Sequence, residues 1–413
     1  MVNSKLASSL LAISVCANAS YLTALPDPFE NALSNWAFVS YSNPSVAALS
    51  GSFNRSSMDA PLEGETSDES NAKEWEYLNT TNFIAYDARF FDIIGPNAKV
   101  EHIETLAYQS HEAPCYNKKT KQLFFVEWGP PGGVNGTHDW QYLYDVESAN
   151  LSKIQTDPPT TNAHGCVVYQ DNLYIVTDGS GKKETGALVK IDPSNWKKQV
   201  ILNNYYVQPF LGFNDLDIDS DGNFWLTDSK SAYGRGLVDF YYPTNPTVYF
   251  VNGTTMRPRP VHITTGNANG VAVALNPDES ARGTQKHVLY LPDTGVSEFL
   301  PVSKKNPFGN RALFAYDASN SGGVLSNPRL LNNPISYFYD GLRASRSGLL
   351  FAGAGDGVDV IDPVAGLTLG TIRVGGGENL AVSMAFGEHE LWIVGRGGLW
   401  KVSDIAERLD REW

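Results

Sequence analysis

Four polar side chains, each at the start of a strand-like repeat, are the residues of this chain best suited to chemistry. They are two acids and two amides: Glu112, Asn214, Asn269 and Asp340. Each offers an oxygen atom, and together they carry two negative charges, which is the ligand type and charge that Ca²⁺ prefers. Any one of them alone is more simply a turn-forming residue. Taken together, the four residues indicate a site for a hard metal ion.

A histidine stands at the same position of another repeat. His164 lies in the tetrapeptide Asn162-Ala163-His164-Gly165, and a neutral imidazole near a metal-held substrate can deprotonate water. The alternative is a channel-lining histidine that only hydrogen-bonds a backbone carbonyl. Asp340 is the competing base or nucleophile, although a carboxylate bound to a metal is less basic. No Cys/His cluster has zinc spacing, so we expect no zinc site.

The repeats that carry these residues predict the fold. The clearest runs from Phe213 to Ser229, where a strand with alternating apolar residues, a Ser-Asp-Gly-Asn turn and an apolar strand follow one another. Ser383 completes a set of six strand-start residues, spaced about 43 to 71 positions apart. That spacing is typical of propeller blades. The sequence therefore predicts an all-β, six-bladed β-propeller over residues 100–413, with a β-sandwich or a β-solenoid as the alternative.

Residues 20–99 match none of the repeats and form a predicted N-terminal extension. Gly51–Asn79 is rich in Ser, Asp, Glu and Asn, which favours a surface loop. Phe83–Ile94 is strand-like, and we expect it to close the ring by adding an outer strand to the last blade. Helical periodicity is scarce and is expected only at Ser403–Arg411 and in parts of the N-terminal extension.

Composition excludes several classes of partner. The chain has 413 residues and a formal net charge of −14, with a pI near 4.9 and a mean hydropathy of −0.26. Such acidity argues against nucleic acid and against an anionic membrane surface. No internal apolar run reaches the length of a membrane-spanning helix. The oligomeric state is not fixed by any of these properties.

The first 19 residues resemble a secretory signal peptide. Lys5 is the basic region, Leu6–Val15 the apolar core and Ala17-Asn18-Ala19 the cleavage motif. Removal would leave Cys115 and Cys166, which lie near the starts of consecutive repeats and either form a disulfide or remain buried thiols. Five N-glycosylation sequons fit secretion: Asn54, Asn79, Asn135, Asn150 and Asn252.

The motifs around the four polar residues resemble those of the SMP-30/gluconolactonase superfamily, and most of all its secreted fungal lactonohydrolases. They are His-Glu-Ala-Pro, Phe-Asn-Asp, Asn-Gly-Val and Asp-Gly-Leu, within a resemblance that covers residues 100–403. His-Glu-Ala-Pro departs from the usual Gly-Glu-x-Pro, and a long insert follows Asn269. The resemblance implies that Glu112, Asn214, Asn269 and Asp340 bind Ca²⁺ or another divalent ion. It also implies hydrolysis of a small lactone, an aldonolactone or a γ-lactone, with His164 or Asp340 activating water.

Substrate contacts are less defined. Asn214 is expected to touch the substrate, and Tyr233 and Arg235 lie in a segment that either overhangs the channel mouth or is an ordinary surface loop. Other functions compatible with the sequence are phosphotriester hydrolysis, a condensation like that of strictosidine synthase, and a non-catalytic propeller that binds a glycan or a protein. Serine-hydrolase chemistry has little support, because no Gly-x-Ser-x-Gly motif occurs.

Overall fold

The computed structural model describes residues 20–55, 64–128, 139–180, 184–234, 246–298, 304–376 and 379–413. Within these ranges the chain is mainly β-strand, arranged as six sheets around a central channel, with few helices. The predicted six-bladed β-propeller is therefore confirmed. The predicted signal peptide, Asn135 and Arg235 lie outside the described residues.

The N-terminal extension combines short strands with helices. In chain order it contains a 3₁₀ segment (Phe29–Asn31), β1 (Trp36–Phe38), α1 (Pro44–Ala47), β2 (Phe53–Arg55), β3 (Gly64–Thr66), α2 (Glu69–Thr80), β4 (Phe83–Ala85), α3 (Arg89–Ile94) and β5 (Lys99–Glu104). The loop predicted for Gly51–Asn79 is wrong over α2. The Asp68 carboxylate caps this helix by accepting from the N–H groups of Ser70 and Asn71. The polar composition of α2 had favoured a loop prediction for this segment.

The six blades follow in order along the chain. Blade 1 contains β6 (Gln109–Asn117), β7 (Gln122–Trp128), β8 (Trp140–Asp145) and β9 (Asn150–Ile154). Blade 2 contains β10 (Ala163–Tyr169), β11 (Asn172–Thr177), β12 (Ala187–Asp192) and β13 (Lys197–Leu202). Blade 3 contains β14 (Phe213–Ile218), β15 (Phe224–Asp228), β16 (Thr247–Val251) and β17 (Pro258–Ile263), with α4 (Ser231–Gly234) between its second and third strands.

The later blades vary in their strands. Blade 4 contains β18 (Ala272–Leu275), β19 (His287–Pro292), β22 (Leu313–Ala318) and β23 (Leu325–Asn332); a 3₁₀ segment (Glu279–Gly283) and the hairpin of β20 (Ser297–Glu298) and β21 (Lys304–Lys305) interrupt it. Blade 5 contains β24 (Leu342–Ala344), β25 (Leu350–Gly353), β26 (Gly357–Asp362) and β27 (Leu367–Arg373). Blade 6 contains β28 (Ser383–Phe386), β29 (Leu391–Gly395) and β30 (Gly398–Ser403).

Apolar packing between blades holds the ring together. A separate cluster fills each of the six interfaces. Phe213 and Leu226 pack against Val176 between blades 2 and 3, while Phe125 and Trp392 lie between blades 1 and 6. Because both faces of a blade are covered, strands such as β14 and β19 are buried along their whole length. The core is thus a ring of interfaces.

Ring closure uses a different segment from the one expected. β5 pairs antiparallel with β30, from Leu399 opposite Glu104 to Ser403 opposite Lys99, and so completes blade 6. The expectation that Phe83–Ile94 closes the ring is wrong: β4 pairs with β27 of blade 5, and the second half of the segment is α3. Polar side chains on the exposed strand β5 hid it, because an outermost strand has little apolar surface to bury.

A buried arginine attaches the N-terminal extension to blade 5. Arg373 is 1% exposed and bonds Asp356 through Nε at 2.7 Å. Its Nη1 donates to the carbonyl oxygens of Leu78 and Asn79, both at 2.7 Å. Trp36 of β1 stacks on Phe83 of β4 with ring centroids 4.6 Å apart, which adds apolar contact within the extension.

The last residues of the chain cross the channel end opposite the strand starts. Arg411 bonds the buried Asp217 and donates to the Val273 carbonyl at 2.7 Å, and the Trp413 indole donates to the Ile218 carbonyl at 3.0 Å. The helix expected at Ser403–Arg411 is absent from this described segment, since Ser403 ends β30 and no helix follows. None of the helices in the described ranges is long and apolar enough to cross a membrane.

A disulfide links the inner strands of blades 1 and 2. The Sγ atoms of Cys115 in β6 and Cys166 in β10 are 2.01 Å apart, and their Cα atoms are 5.6 Å apart. Among the sequons, Asn79 lies in α2, Asn150 begins β9 with an exposed side chain, and Asn252 lies partly buried in a turn. Asn54 lies in β2.

Replacing Arg373 with methionine should strongly destabilise the protein. The change leaves Asp356 buried without its cation, and breaking a buried ion pair typically costs about 3–5 kcal/mol. Thermal unfolding of both variants would measure this. Lys119→Met is the control, because that side chain is 68% exposed in its pair with the exposed Asp171 and surface pairs contribute about 0–1 kcal/mol. Equal melting temperatures for the two variants would contradict the assignment.

Candidate functional site

The strand-start residues meet at one end of the channel, and β-bulges direct three of them. Glu112, His164 and Asn214 each lie where the register of the innermost strand shifts against its neighbour, in β6, β10 and β14. A bulge turns a side chain out of the regular alternation of a strand. All three are buried, with exposures of 6%, 1% and 5%. These side chains therefore face each other within the ring.

In blades 4 and 5 the polar residue lies in the loop before the inner strand. Asn269 precedes β18, and its carbonyl accepts from Thr227 Oγ1 at 2.6 Å. Asp340 precedes β24, and its N–H donates to the Gly353 carbonyl at 2.9 Å. A Cβ on Gly270 would lie 2.1 Å from the Asp340 carbonyl oxygen. Glycine after Asn269 thus lets the two loops touch and brings both polar side chains to the channel.

His164 connects two carboxylates and an amide. Its Nδ1 lies 2.9 Å from Asp178 Oδ2, and its Nε2 lies 3.0 Å from Asn214 Nδ2 and 3.3 Å from Glu112 Oε1. Trp128 packs edge-to-face on the imidazole with ring centroids 4.6 Å apart. Burial lowers the pKa of His164, but the charges of Asp178 and Glu112 outweigh burial and raise it to about 9.

Asp340 is an acid of the site with a perturbed pKa. Burial raises the pKa of Asp340 well above its usual range, and the nearby Glu112 carboxylate raises it further. The charge of His164 and a hydrogen bond from the Asn269 side chain act in the opposite direction. Each of two neighbouring carboxylates makes ionisation of the other less favourable, and a cation bound between them would stabilise both negative charges.

The four oxygen donors fit a hard cation. The Glu112 carboxylate is close enough to raise the pKa of Asp340, and the Asn269 side chain hydrogen-bonds Asp340. Asn214 and Glu112 both contact Nε2 of His164. The structure thus brings together the four residues named from the sequence. Carboxylate and amide oxygens in this proportion are the donors that Ca²⁺ takes.

A second group of possible ligands lies at the other end of the channel. One ligand atom from each of Asp219, Asp221 and His287 lies within 4.8 Å of the others, so this group could hold a metal ion by spacing. However, the Asp219 carboxylate already accepts from the N–H groups of Asp221 and Asn223 and from the Trp225 indole. Lys286 bonds Asp221. Turn formation and an ion pair already account for these carboxylates.

The segment expected at the channel mouth is partly described. Tyr233 lies in α4 and is partly buried, whereas Arg235 falls outside the described residues. Ser231, at the start of α4, donates to Asp178 Oδ1 at 3.0 Å. The start of this segment is therefore tied to the carboxylate that bonds His164.

Sequence reasoning missed Asp178 and Trp128. Asp178 directly follows β11, as Asp228 ends β15, in the repeated pattern Thr-Asp after an apolar strand. That repeat was visible in the sequence, but it does not separate a structural aspartate from one that contacts the histidine. Trp128 ends β7, and no sequence signal placed it beside His164.

No protein-family model matches the chain. Lactonohydrolase oryL of Aspergillus oryzae is 28% identical over 409 residues, covering 91% of this chain and 88% of the relative. Lactonohydrolase oryH of the same fungus is 24% identical and covers 80% of this chain and 82% of the relative. Among solved structures, a gluconolactonase of Xanthomonas campestris superposes with a TM-score of 0.61 at 19% identity, over 78% of this chain and 94% of that one.

The fold defines a six-bladed propeller with its polar cluster at the starts of the inner strands. The chain shares this fold with the gluconolactonase structure, and over most of its length it is similar in sequence to the two fungal lactonohydrolases.

Replacing Gly270 with alanine should disturb the site and lower stability. Its Cβ would lie 2.1 Å from the Asp340 carbonyl oxygen, and overpacking typically costs about 1–3 kcal/mol. Gly283→Ala is the control, because nothing lies within 4 Å of a Cβ there and open surface changes stay within about 0.5 kcal/mol. Chemical denaturation compares the two. A Gly270→Ala protein as stable as Gly283→Ala would show that the loops do not need this close approach.

Proposed function

We propose that this chain is a secreted, calcium-dependent lactonohydrolase that opens a small aldonolactone or γ-lactone to its hydroxy acid. The observation that carries the proposal is the meeting of two carboxylates, two amides and a carboxylate-bonded histidine at one channel end. Similarity to a lactonohydrolase over 91% of the chain supports the substrate class.

Secretion belongs to the same proposal. It is supported by the signal-like residues 1–19 and by the Cys115–Cys166 disulfide, since disulfides persist in oxidising compartments. Glycosylation would then be possible at the described sequons Asn54, Asn79, Asn150 and Asn252, and at Asn135.

In this proposal Glu112, Asn214, Asn269 and Asp340 hold the calcium ion, or another divalent ion, through their side-chain oxygens. When bound, the ion supplies Lewis-acid polarisation of the lactone carbonyl. The two carboxylates provide the negative charge that retains it. Asn214 can hold the ion by Oδ1 because its Nδ2 is the atom directed at His164.

The remaining residues bind the substrate and move a proton. His164 or Asp340 removes a proton from water, whose oxygen bonds to the carbonyl carbon. The ring C–O bond then breaks, and the proton passes to the released ring oxygen, leaving one hydroxy acid. Asn214, Tyr233 and Arg235 are proposed substrate contacts, and Trp128 forms an apolar wall beside His164.

Removing the metal should abolish lactone hydrolysis, and adding calcium should restore it. A pH-stat assay on a panel of aldonolactones and γ-lactones, before and after EGTA, measures this directly. Calcium should also raise the melting temperature of chelated protein, because a ligand that binds only the folded state stabilises it.

Glu112→Gln should lose both the calcium response in melting temperature and the activity, while Glu101→Gln, the same change on the exposed edge of β5, should retain both. Full turnover by chelated Glu112→Gln would contradict the metal mechanism. Metal binding without hydrolysis of any lactone would instead favour a phosphotriester substrate or a non-catalytic binding propeller.

His164→Asn tests which group activates water. We expect kcat to fall on the order of 10²-fold or more, the usual size of a general-base contribution. Steady-state kinetics on the best lactone of the panel gives the value. Near-normal turnover would transfer the role to Asp340.

A further inference from the structure

A salt bridge crosses the channel next to the strand-start residues. Arg343 of β24 and Asp215 of β14 are both buried, with Nη1 2.9 Å from Oδ2 and Nη2 3.3 Å from Oδ1. These residues belong to blades 5 and 3, which are separated by blade 4. The two side chains, here called the channel pair, therefore meet inside the ring instead of within one sheet.

The arginine also contacts a third blade. Its Nη2 donates to the carbonyl oxygen of Cys166 in β10 at 3.2 Å, and its Nη1 donates to the carbonyl oxygen of Leu342 in its own strand at 2.8 Å. Blade 2, which contains β10, lies opposite blade 5 in a ring of six. Because the guanidinium is planar and its N–H donors are fixed relative to one another, these contacts hold three blades in one geometry.

The aspartate extends the contacts to blade 4. Asp215 Oδ2 accepts from the N–H of Val271, just before β18, at 3.4 Å, and Oδ1 accepts from the Leu216 N–H at 2.8 Å. Blade 2 approaches the same carboxylate closely, because a Cβ on Gly165 would lie 2.6 Å from Asp215 Oδ1. The channel pair thus touches the backbone of blades 2, 3, 4 and 5.

The contacted backbone lies close in sequence to the polar strand starts of those four blades. Each contact falls one or two residues after a strand-start residue: Asp215 after Asn214, Cys166 after His164, Val271 after Asn269 and Leu342 after Asp340. Two residues of chain span at most about 7 Å. A shift of the channel pair would therefore move the polar side chains at the channel end.

A second salt bridge of the same channel lacks this relation. Arg411 donates to Asp217 Oδ2 at 3.0 Å and to the Val273 carbonyl oxygen at 2.7 Å. Asp217 is three residues from Asn214, and Val273 is four residues from Asn269. This pair joins the C-terminal segment to blades 3 and 4. It provides a matched comparison, because it is an arginine–aspartate pair of the same channel that lies farther from the strand starts.

We infer that Arg343, through Asp215, is a positioning residue that holds the strand starts of blades 2 to 5 at the spacing that a bound cation requires. The inference rests on the proposed calcium site. Packing between blades sets the coarse spacing, and the channel pair removes freedom that remains inside the ring. Ligands already held in place lose less freedom when the ion binds, so the pair increases calcium affinity.

Charge and position lead to opposite expectations for this arginine. Loss of a positive charge near a cation site would by itself strengthen calcium binding, whereas loss of positioning weakens it. The double variant Arg343→Met/Asp215→Asn removes both charges, so the net charge of the pair is unchanged. It also avoids a buried carboxylate without its cation, which would be strongly destabilising. A change in its calcium affinity then reports geometry.

Isothermal titration of calcium into chelated protein tests the inference. We expect Arg343→Met/Asp215→Asn to bind calcium about 10- to 100-fold more weakly, the usual loss when a residue that orients metal ligands is removed, and Arg411→Met/Asp217→Asn to stay within about threefold of the unchanged protein. Arg343→Lys keeps the charge without the planar fork and should also bind about tenfold more weakly. Circular dichroism and melting temperatures of the metal-free proteins show which variants are folded.

Unchanged or tighter calcium binding by Arg343→Met/Asp215→Asn, or an equal loss in Arg411→Met/Asp217→Asn, would overturn the inference. Full affinity in Arg343→Lys would do the same, since charge alone would then suffice, and this variant decides the matter if the double variant does not fold. The titration uses no lactone. A wild-type protein that binds calcium but hydrolyses no lactone would therefore refute the proposed reaction, while the variants would still decide the role of Arg343.

Discussion

The spacing of the four proposed oxygen ligands depends on the closure of a ring. Glu112, Asn214, Asn269 and Asp340 come from four different blades, and no backbone hydrogen bond of a single sheet fixes the distance between them. That distance is set by how the blades pack, through an apolar cluster at each interface, and by the β5–β30 pairing that prevents the ring from opening. The site is therefore a property of the whole propeller, and its ligands can be no better ordered than the interfaces.

Two buried aspartates along the channel are each paired with an arginine. Asp215 bonds Arg343 at 2.9 Å, with both side chains less than a tenth exposed. Asp217, which is fully buried, bonds Arg411 from the C-terminal segment. Burying an unpaired charge is costly, so each of these carboxylates is matched by an arginine. At the other end of the same channel, the charge of Glu112 raises the pKa of Asp340. There a bound cation, rather than an arginine, would neutralise the two carboxylates.

The sequence predicted the parts of this structure that repeat. Strand alternation, turn chemistry and spacing were sufficient for six blades and for the strand-start residues, because each blade repeats the same local pattern. The same reasoning failed where the pattern was absent. β5 is polar because it lies on the outside of its blade, α2 is polar because little of it is buried, and Phe83–Ile94 is apolar in a way that suits both a strand and a helix.

The limits at the site have a similar cause. Residue type and repeat position predicted Glu112, His164, Asn214, Asn269 and Asp340 as site residues, since each occupies an equivalent place in its repeat. The partner of His164 could not be identified, because Asp178 and Asp228 are equivalent in sequence and differ only in what the neighbouring loops place around them.

The β5–β30 pairing also affects the order of folding. Leu399 lies opposite Glu104, so the strands that close the ring come from opposite ends of the propeller, and such non-local pairing forms slowly. During synthesis blades 1 to 5 can assemble one after another, whereas blade 6 has no outer strand until β30 has emerged and β5 has docked on it. Until that moment both β5 and β30 present unpaired edges, which are the surfaces through which β-proteins exchange strands or aggregate. The nascent chain is thus vulnerable until β5 docks on β30, and the same pairing closes the ring that holds the four proposed ligands around one channel.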